Sequence, residues 1–130
     1  TSGGKYIAPQ NMENVFKESP FIEQCMVAGE NQKFPVLLIQ PQFDFIASWC
    51  ERKEIKFASN KEMVKNSEVI SRINKEIEMK NEQFAKWEQV KKIYVCNEAW
   101  TIHSGHLTPT MKLRRKPILS MYLEDYESLF

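Results

Sequence analysis

The stretch FIEQCMVAGENQKFPVLLIQ, residues 21–40, contains two apolar runs of strand length joined by the polar connection GENQK. Aliphatic and β-branched residues suit a pleated, half-buried surface, and a glycine in a short polar link marks a hairpin, here with a five-residue loop. Pro35 has no N–H to give to a ladder, so it suits an edge or the start of a strand. An antiparallel pair is therefore the seed of the fold, and the flanking segments are read by what they add to it.

Upstream, PQNMENVFKE (9–18) opens with Pro9 and carries Met12, Val15 and Phe16 at helical spacing until Ser19-Pro20, which predicts a short helix. Downstream, FDFIASWCERK (43–53) sets Phe43, Ile46, Ala47 and Cys50 on one helical face, a pattern of packing rather than of ligand binding. Ser59 and Glu62 have capping-box spacing, and a long helix is expected after them. Its apolar stripe is Met63, Ile70, Ile73, Ile77, Phe84 and Trp87, close to heptad spacing. A coiled-coil partner would use the same stripe, but it is short and the sheet is there to cover it. VKKIYVCN (90–97) predicts a third strand with Val90, Ile93 and Val95 inward, and KPILSMYLEDYESLF (116–130) a closing helix behind Pro117. Strands and helices mix without regular βαβ alternation. The predicted class is α+β, with a small, mostly antiparallel sheet of about three strands plus an N-terminal hairpin piece, packed with helices.

A chain of 130 residues is one domain, short for a complete two-substrate enzyme. With 42% hydrophobic and 27% charged residues it is a globular sequence, and a formal net charge of +1 excludes the whole molecule as a polyanion binder. Any anion site must be local. Cys25, Cys50 and Cys96 are odd in number and far apart, which suggests neither a disulfide framework nor a zinc site and fits a reducing cytoplasm. No apolar run approaches the ~18 residues of a membrane span. The chain opens at Thr1 without methionine and with a motif under way, so a piece of something longer is expected.

Three segments invite chemistry. TSGGK (1–5) lacks the Ser or Thr that follows the lysine of a phosphate-binding P-loop, because Tyr6 stands there. Gly3-Gly4 reads as a tight turn between extended segments, or as backbone brought close to a ligand. His103 and His106 are three apart with no evident third metal ligand, and a triad built on Ser104 has no GxSxG elbow behind it. The third segment, HLTPTMKLRRKPI (106–118), puts Lys112, Arg114, Arg115 and Lys116 within five positions. Thr108-Pro109-Thr110 makes a stiff approach to Lys112, so the lysine projects as a point charge that can be delivered to a reaction centre elsewhere. Nucleic-acid binding would want aromatics interleaved with this patch or a recognition helix, and neither is present.

Together TSGGKYIAPQNMEN (1–14), the hairpin sequence of residues 21–39, HLTPTMKLRRKPI and SMYLEDYESLF (120–130) resemble, in that order, the C-terminal domain of adenylate-forming acyl-CoA ligases, above all the long-chain fatty acid branch. The resemblance covers nearly the whole chain and rests most on the first and third blocks, some hundred residues apart. It implies a single C-terminal lid domain over 1–130. An N-terminal adenylation domain of the same chain would hold ATP, Mg²⁺ and the fatty acid, with a hinge upstream of Thr1, and the fragment by itself would be inactive. The implied reaction forms an acyl-adenylate from a carboxylate and ATP, then a thioester with coenzyme A, the domain rotating between the two steps.

Lys112 matches the adenylation lysine of that family, with Lys116 as rival. Ser2, Gly3, Gly4 and Lys5 match the loop brought to coenzyme A in the second step. Arg114, Arg115 and Lys116 would either contact coenzyme A phosphates or support the loop by salt bridges. Many relatives place Ser-Gly before the lysine, whereas this chain has Thr110-Met111. The resemblance implies a cytoplasmic enzyme with no nucleic-acid partner and leaves open peripheral membrane contact. A stand-alone anion- or nucleic-acid-binding module using residues 112–116 is the rival from another class.

Overall fold

A computed structural model describes residues 8–130, so the expected N-terminal turn at Gly3-Gly4 lies outside the described residues. Pro9 takes the first position of helix α1 (Pro9–Phe16), where its missing N–H costs nothing, and Met12 and Phe16 are buried. Strand β1 (Ile22–Ala28) pairs antiparallel with β2 (Val36–Pro41), Cys25 opposite Ile39 and Val27 opposite Leu37. Phe34 and Pro35 stay out of the ladder, so the connection is longer than GENQK. Gly29 opens it at φ 118°, and a Cβ there would lie 2.6 Å from the Phe34 carbonyl oxygen, which is why only glycine fits.

Pro35 stands just before the first paired residue, and β2 is the central strand, buried along its whole length. Strand β3 (Lys92–Val95) joins β2 in parallel, Leu37 opposite Ile93 and Ile39 opposite Val95. The α+β class holds, but the sheet has one antiparallel and one parallel pair rather than being mostly antiparallel. The reason is the connection between β2 and β3. It carries α2 (Phe43–Arg52), α3 (Asn60–Met63) and α4 (Ser67–Asn81) across one face, and a crossover of that size brings the chain back to the end at which β2 began, so that Lys92 starts β3 beside Val36.

The expected single long helix is two. Ser59 Oγ accepts the Glu62 N–H at 3.2 Å, but the Glu62 carboxylate reaches the Ala58 N–H, and α3 ends after one turn. Asn66 Oδ1 then accepts from Glu68 and Val69, a second N-cap that starts α4 afresh. Trp87 falls in a 3-10 turn (Lys86–Glu88) past the end of α4. Met63, Ile73 and Ile77 are buried against this domain's own sheet, so no coiled-coil seam is left.

Alternation along β1 and β2 divides the core. Cys25, Val27, Leu37 and Ile39 face α1, α2 and α4, while Met26 and Leu38 face Cys96, Trp100, Leu107, Ile118 and Tyr122. The closing helix is also split, into α5 (Arg115–Met121) and α6 (Leu123–Glu127), at Tyr122, whose φ of −115° leaves the helical range and whose ring is buried in the second cluster. The three cysteines are free and buried, and no helix among the described residues is long and apolar enough to cross a membrane.

Candidate functional site

Residues 106–114 form a hairpin standing on the second face of the sheet. The Arg114 N–H donates to the His106 carbonyl at 2.8 Å, Leu107 bridges Leu113, and the Thr108 N–H donates to the Lys112 carbonyl at 2.8 Å. At the tip the Met111 N–H closes on the Thr108 carbonyl, and Thr108 Oγ1 accepts the Lys112 N–H at 3.0 Å. Met111 has φ 66°, the left-handed closing residue of a three-residue hairpin loop. Glycine favours that conformation, so a methionine there carries a cost in backbone strain.

Lys112 is exposed beside this turn, and among the described residues no side-chain hydrogen bond or ion pair engages its ammonium. Its backbone is fixed while its charge is free to meet a ligand. Lys116, the rival lysine, lies in the first turn of α5.

The root of the hairpin is gripped on both sides. Leu107 is buried in the second apolar cluster, and His106, 1% exposed, is held by a chain of polar groups. His106 Nδ1 lies 2.6 Å from Ser104 Oγ, His106 Nε2 lies 2.7 Å from the Tyr122 hydroxyl, and that hydroxyl donates to Glu98 Oε1 at 2.7 Å. The Trp100 indole stacks on the imidazole at 5.4 Å. Burial holds the His106 pKa below the usual imidazole range, with the Glu98 carboxylate pulling the other way. Burial first, then the neighbouring Cys96 and Glu98, raises the Tyr122 hydroxyl far above its ordinary value, and burial pushes the Cys96 thiol up to about 12. These groups are neutral at physiological pH.

Ser104 and His106 do meet, but not as a nucleophile and base. Ser104 Oγ already accepts from the Thr101 N–H at 2.9 Å and lies 3.0 Å from the Thr101 carbonyl, and the imidazole is out of reach of substrate. Among the described residues no group of three or more His, Cys, Asp or Glu side chains could hold a metal ion.

The other cations have distinct fates. Both Arg115 terminal nitrogens donate to Glu13 at 2.7 Å, a bidentate pair whose carboxylate is buried and also accepts the Val27 N–H at 2.7 Å. Arg115 thereby ties α5, which follows the loop, to α1. Arg114 Nη1 donates to the Gly105 carbonyl at 3.3 Å and stays exposed. Ser2, Gly3, Gly4 and Lys5 lie outside the described residues. Sequence reasoning missed Glu13, Glu98, Trp100 and Tyr122 as site-building groups. Only Glu13 carries a signal, an acid next to Met12 and one turn before Phe16 on the buried face of α1.

A family model described as AMP-binding enzyme C-terminal domain matches residues 1–130. Human Long-chain-fatty-acid--CoA ligase 1 is 30% identical over 130 residues, 98% of this chain and 18% of its own length. Mouse Long-chain-fatty-acid--CoA ligase 5 is 33% identical over 130 residues, 98% of this chain and 19% of its own. Long-chain-fatty-acid--CoA ligase FadD15 of Mycobacterium tuberculosis is 28% identical over 131 residues, the whole of this chain and 22% of its own. The chain thus spans about a fifth of the length of these relatives. Among solved structures, the adenylation domain of a carboxylate reductase from Mycobacterium chelonae superposes with a TM-score of 0.78 at 18% identity, covering 98% of this chain and 18% of that one. The anthranilate CoA ligase AuaEII in complex with anthranoyl-AMP gives 0.55 at 17%, covering 92% and 19%. At such identities the likeness is one of fold.

Proposed function

Because the chain belongs to the AMP-binding enzyme C-terminal domain family, we propose that it is the lid domain of a long-chain fatty acid–CoA ligase and that Lys112 is its adenylation lysine. The observation that carries the reading is the exposed Lys112 beside the tip of a hairpin anchored at its root. In the first half-reaction a fatty acid carboxylate oxygen attacks the α-phosphorus of ATP, and the bond to the leaving pyrophosphate breaks. Negative charge gathers on the phosphate oxygens, and an ammonium held there in a water-poor site offsets it as it develops. In the second, the coenzyme A sulfur displaces AMP from the acyl carbon.

Between the two steps the domain turns about a hinge outside this chain. Lys112 is withdrawn, and the loop of Ser2, Gly3, Gly4 and Lys5 reaches coenzyme A, its glycines letting backbone approach a narrow channel. Arg114 is the remaining guanidinium for a coenzyme A phosphate, since Arg115 is committed to Glu13. In this reading Mg²⁺ would be held with ATP by the adenylation domain, and no step here passes through it. A cytoplasmic location of the whole enzyme is part of the same proposal.

The rival reading, a free-standing anion or nucleic-acid binder, is weakened because one of its four cations is paired internally and another leans on a backbone carbonyl. The full-length protein should make a long-chain acyl-CoA from fatty acid, ATP and coenzyme A, releasing AMP and pyrophosphate. Failure to form any thioester, together with salt-dependent binding of a polyanion by the 130-residue chain, would replace this reading with the rival.

A further inference from the structure

We infer that His106 is the positioning residue of the Lys112 hairpin, its imidazole locking the root of the loop to the body of the domain through Ser104, Tyr122 and Glu98. This inference rests on the adenylation role given to Lys112.

The bookkeeping of protons assigns the network. Tyr122 gives its only proton to Glu98, so its oxygen can accept, and His106 Nε2–H is the donor that meets it at 2.7 Å. Nδ1 then carries the lone pair and accepts a hydrogen bond from the Ser104 hydroxyl across 2.6 Å. The Thr101 carbonyl is not stranded when Ser104 turns this way, because it still accepts the Leu107 N–H at 3.2 Å. The neutral imidazole is therefore fully bonded at both nitrogens and cannot rotate or shift without breaking two hydrogen bonds.

Its backbone carries that constraint outward. The His106 carbonyl receives the Arg114 N–H, and Lys112 lies two residues from Arg114 along the opposing strand, roughly 7 Å at strand rise. Leu107, buried beside His106, adds apolar packing to the same root. His106 is the group that fixes where the tip points. A displacement of about 1 Å at a reacting centre is worth up to ~10²-fold in rate.

The test uses full-length enzyme and reads the two half-reactions separately: pyrophosphate release from fatty acid and ATP, and thioester formation from supplied acyl-adenylate and coenzyme A. His106→Leu keeps apolar volume and removes both bonds. It is expected to lower kcat for pyrophosphate release about tenfold, with KM for ATP little changed and thioester formation intact. His106→Gln, which returns an amide donor near the Nε2 position, is expected to recover the first step to within about threefold of wild type. Equal loss in both half-reactions, with no recovery by His106→Gln, makes His106 a stability residue only and overturns the inference. Wild-type pyrophosphate release by His106→Leu beside a slow Lys112→Ala overturns it while leaving the role of Lys112 standing. Wild-type pyrophosphate release by Lys112→Ala overturns both.

Discussion

Glu13 and Arg115 meet as a bidentate pair across 102 positions of sequence, each guanidinium terminal nitrogen 2.7 Å from a carboxylate oxygen. The pair ties α1, which follows the Gly3-Gly4 segment in sequence, to the first turn of α5, which follows Lys112. The Glu13 side chain is 3% exposed and that of Arg115 42%, so the two ends are unequal. The carboxylate is committed to the interior and the guanidinium is the group that compensates it.

Arg115→Met should therefore be costly, because among the described residues it leaves a buried carboxylate with the Val27 N–H as its remaining donor. Solvent already reaches the arginine, so the expected loss is about 2 kcal/mol, below the 3–5 kcal/mol of a fully buried pair. The double change Glu13→Leu with Arg115→Met should recover much of it. Urea unfolding of the four species reads the coupling, and strictly additive losses would mean that the two groups do not compensate each other.

Met111 holds φ 66° and is 56% exposed, so little packing opposes a change there. Met111→Gly is expected to stabilise the chain by up to about 1 kcal/mol through relief of the left-handed conformation, less the entropy that glycine adds to the unfolded state. Met111→Val, β-branched, is expected to destabilise by a similar amount or more. A urea series that ranks valine at or above glycine would show that the turn is not formed this way.

His106 gives stability a pH dependence of defined sign. Its native pKa lies below the ordinary 6.5, so the unfolded chain binds the proton first. The stabilisation is present above about pH 6.5 and is lost as pH falls through the lowered native value, with a slope of at most about 1.4 kcal/mol per pH unit from this group. Thermal unfolding of wild type and His106→Gln between pH 7.5 and 5.5 checks it, since the difference between them should shrink on acidification. A gap that widens instead would contradict the neutral, buried assignment.

Much of this was legible in the sequence for plain reasons. Apolar runs of strand length found the strands, and period-3.6 apolar patterns found α1, α2 and the core stripe, because burial of Leu37, Ile39, Ile46 and Ile73 is a local choice repeated along the chain. The helix breaks were less visible. Asn66 and Tyr122 interrupt continuous apolar periodicity, and whether such a residue caps or merely sits in a helix depends on tertiary space that pattern does not encode. The parallel placement of β3 depends on how α2 to α4 cross the sheet, which the alternation inside β3 leaves undetermined. At the site, the stiff Thr108-Pro109-Thr110 approach and the charge of Lys112 stood out, while Glu13, Glu98 and Tyr122 did not. Their partners lie 14 to 102 positions away, and no spacing rule reaches that far.

The most direct test is a single comparison in the full-length enzyme. Pyrophosphate release from fatty acid and ATP is measured for wild type and Lys112→Ala, and thioester formation is measured for both from acyl-adenylate supplied ready-made. Loss of one transition-state charge partner should slow pyrophosphate release roughly 10²-fold or more, while thioester formation stays near the wild-type rate. Equal slowing of both steps, or an undiminished first step, would contradict the delivery of this ammonium to the phosphorus centre.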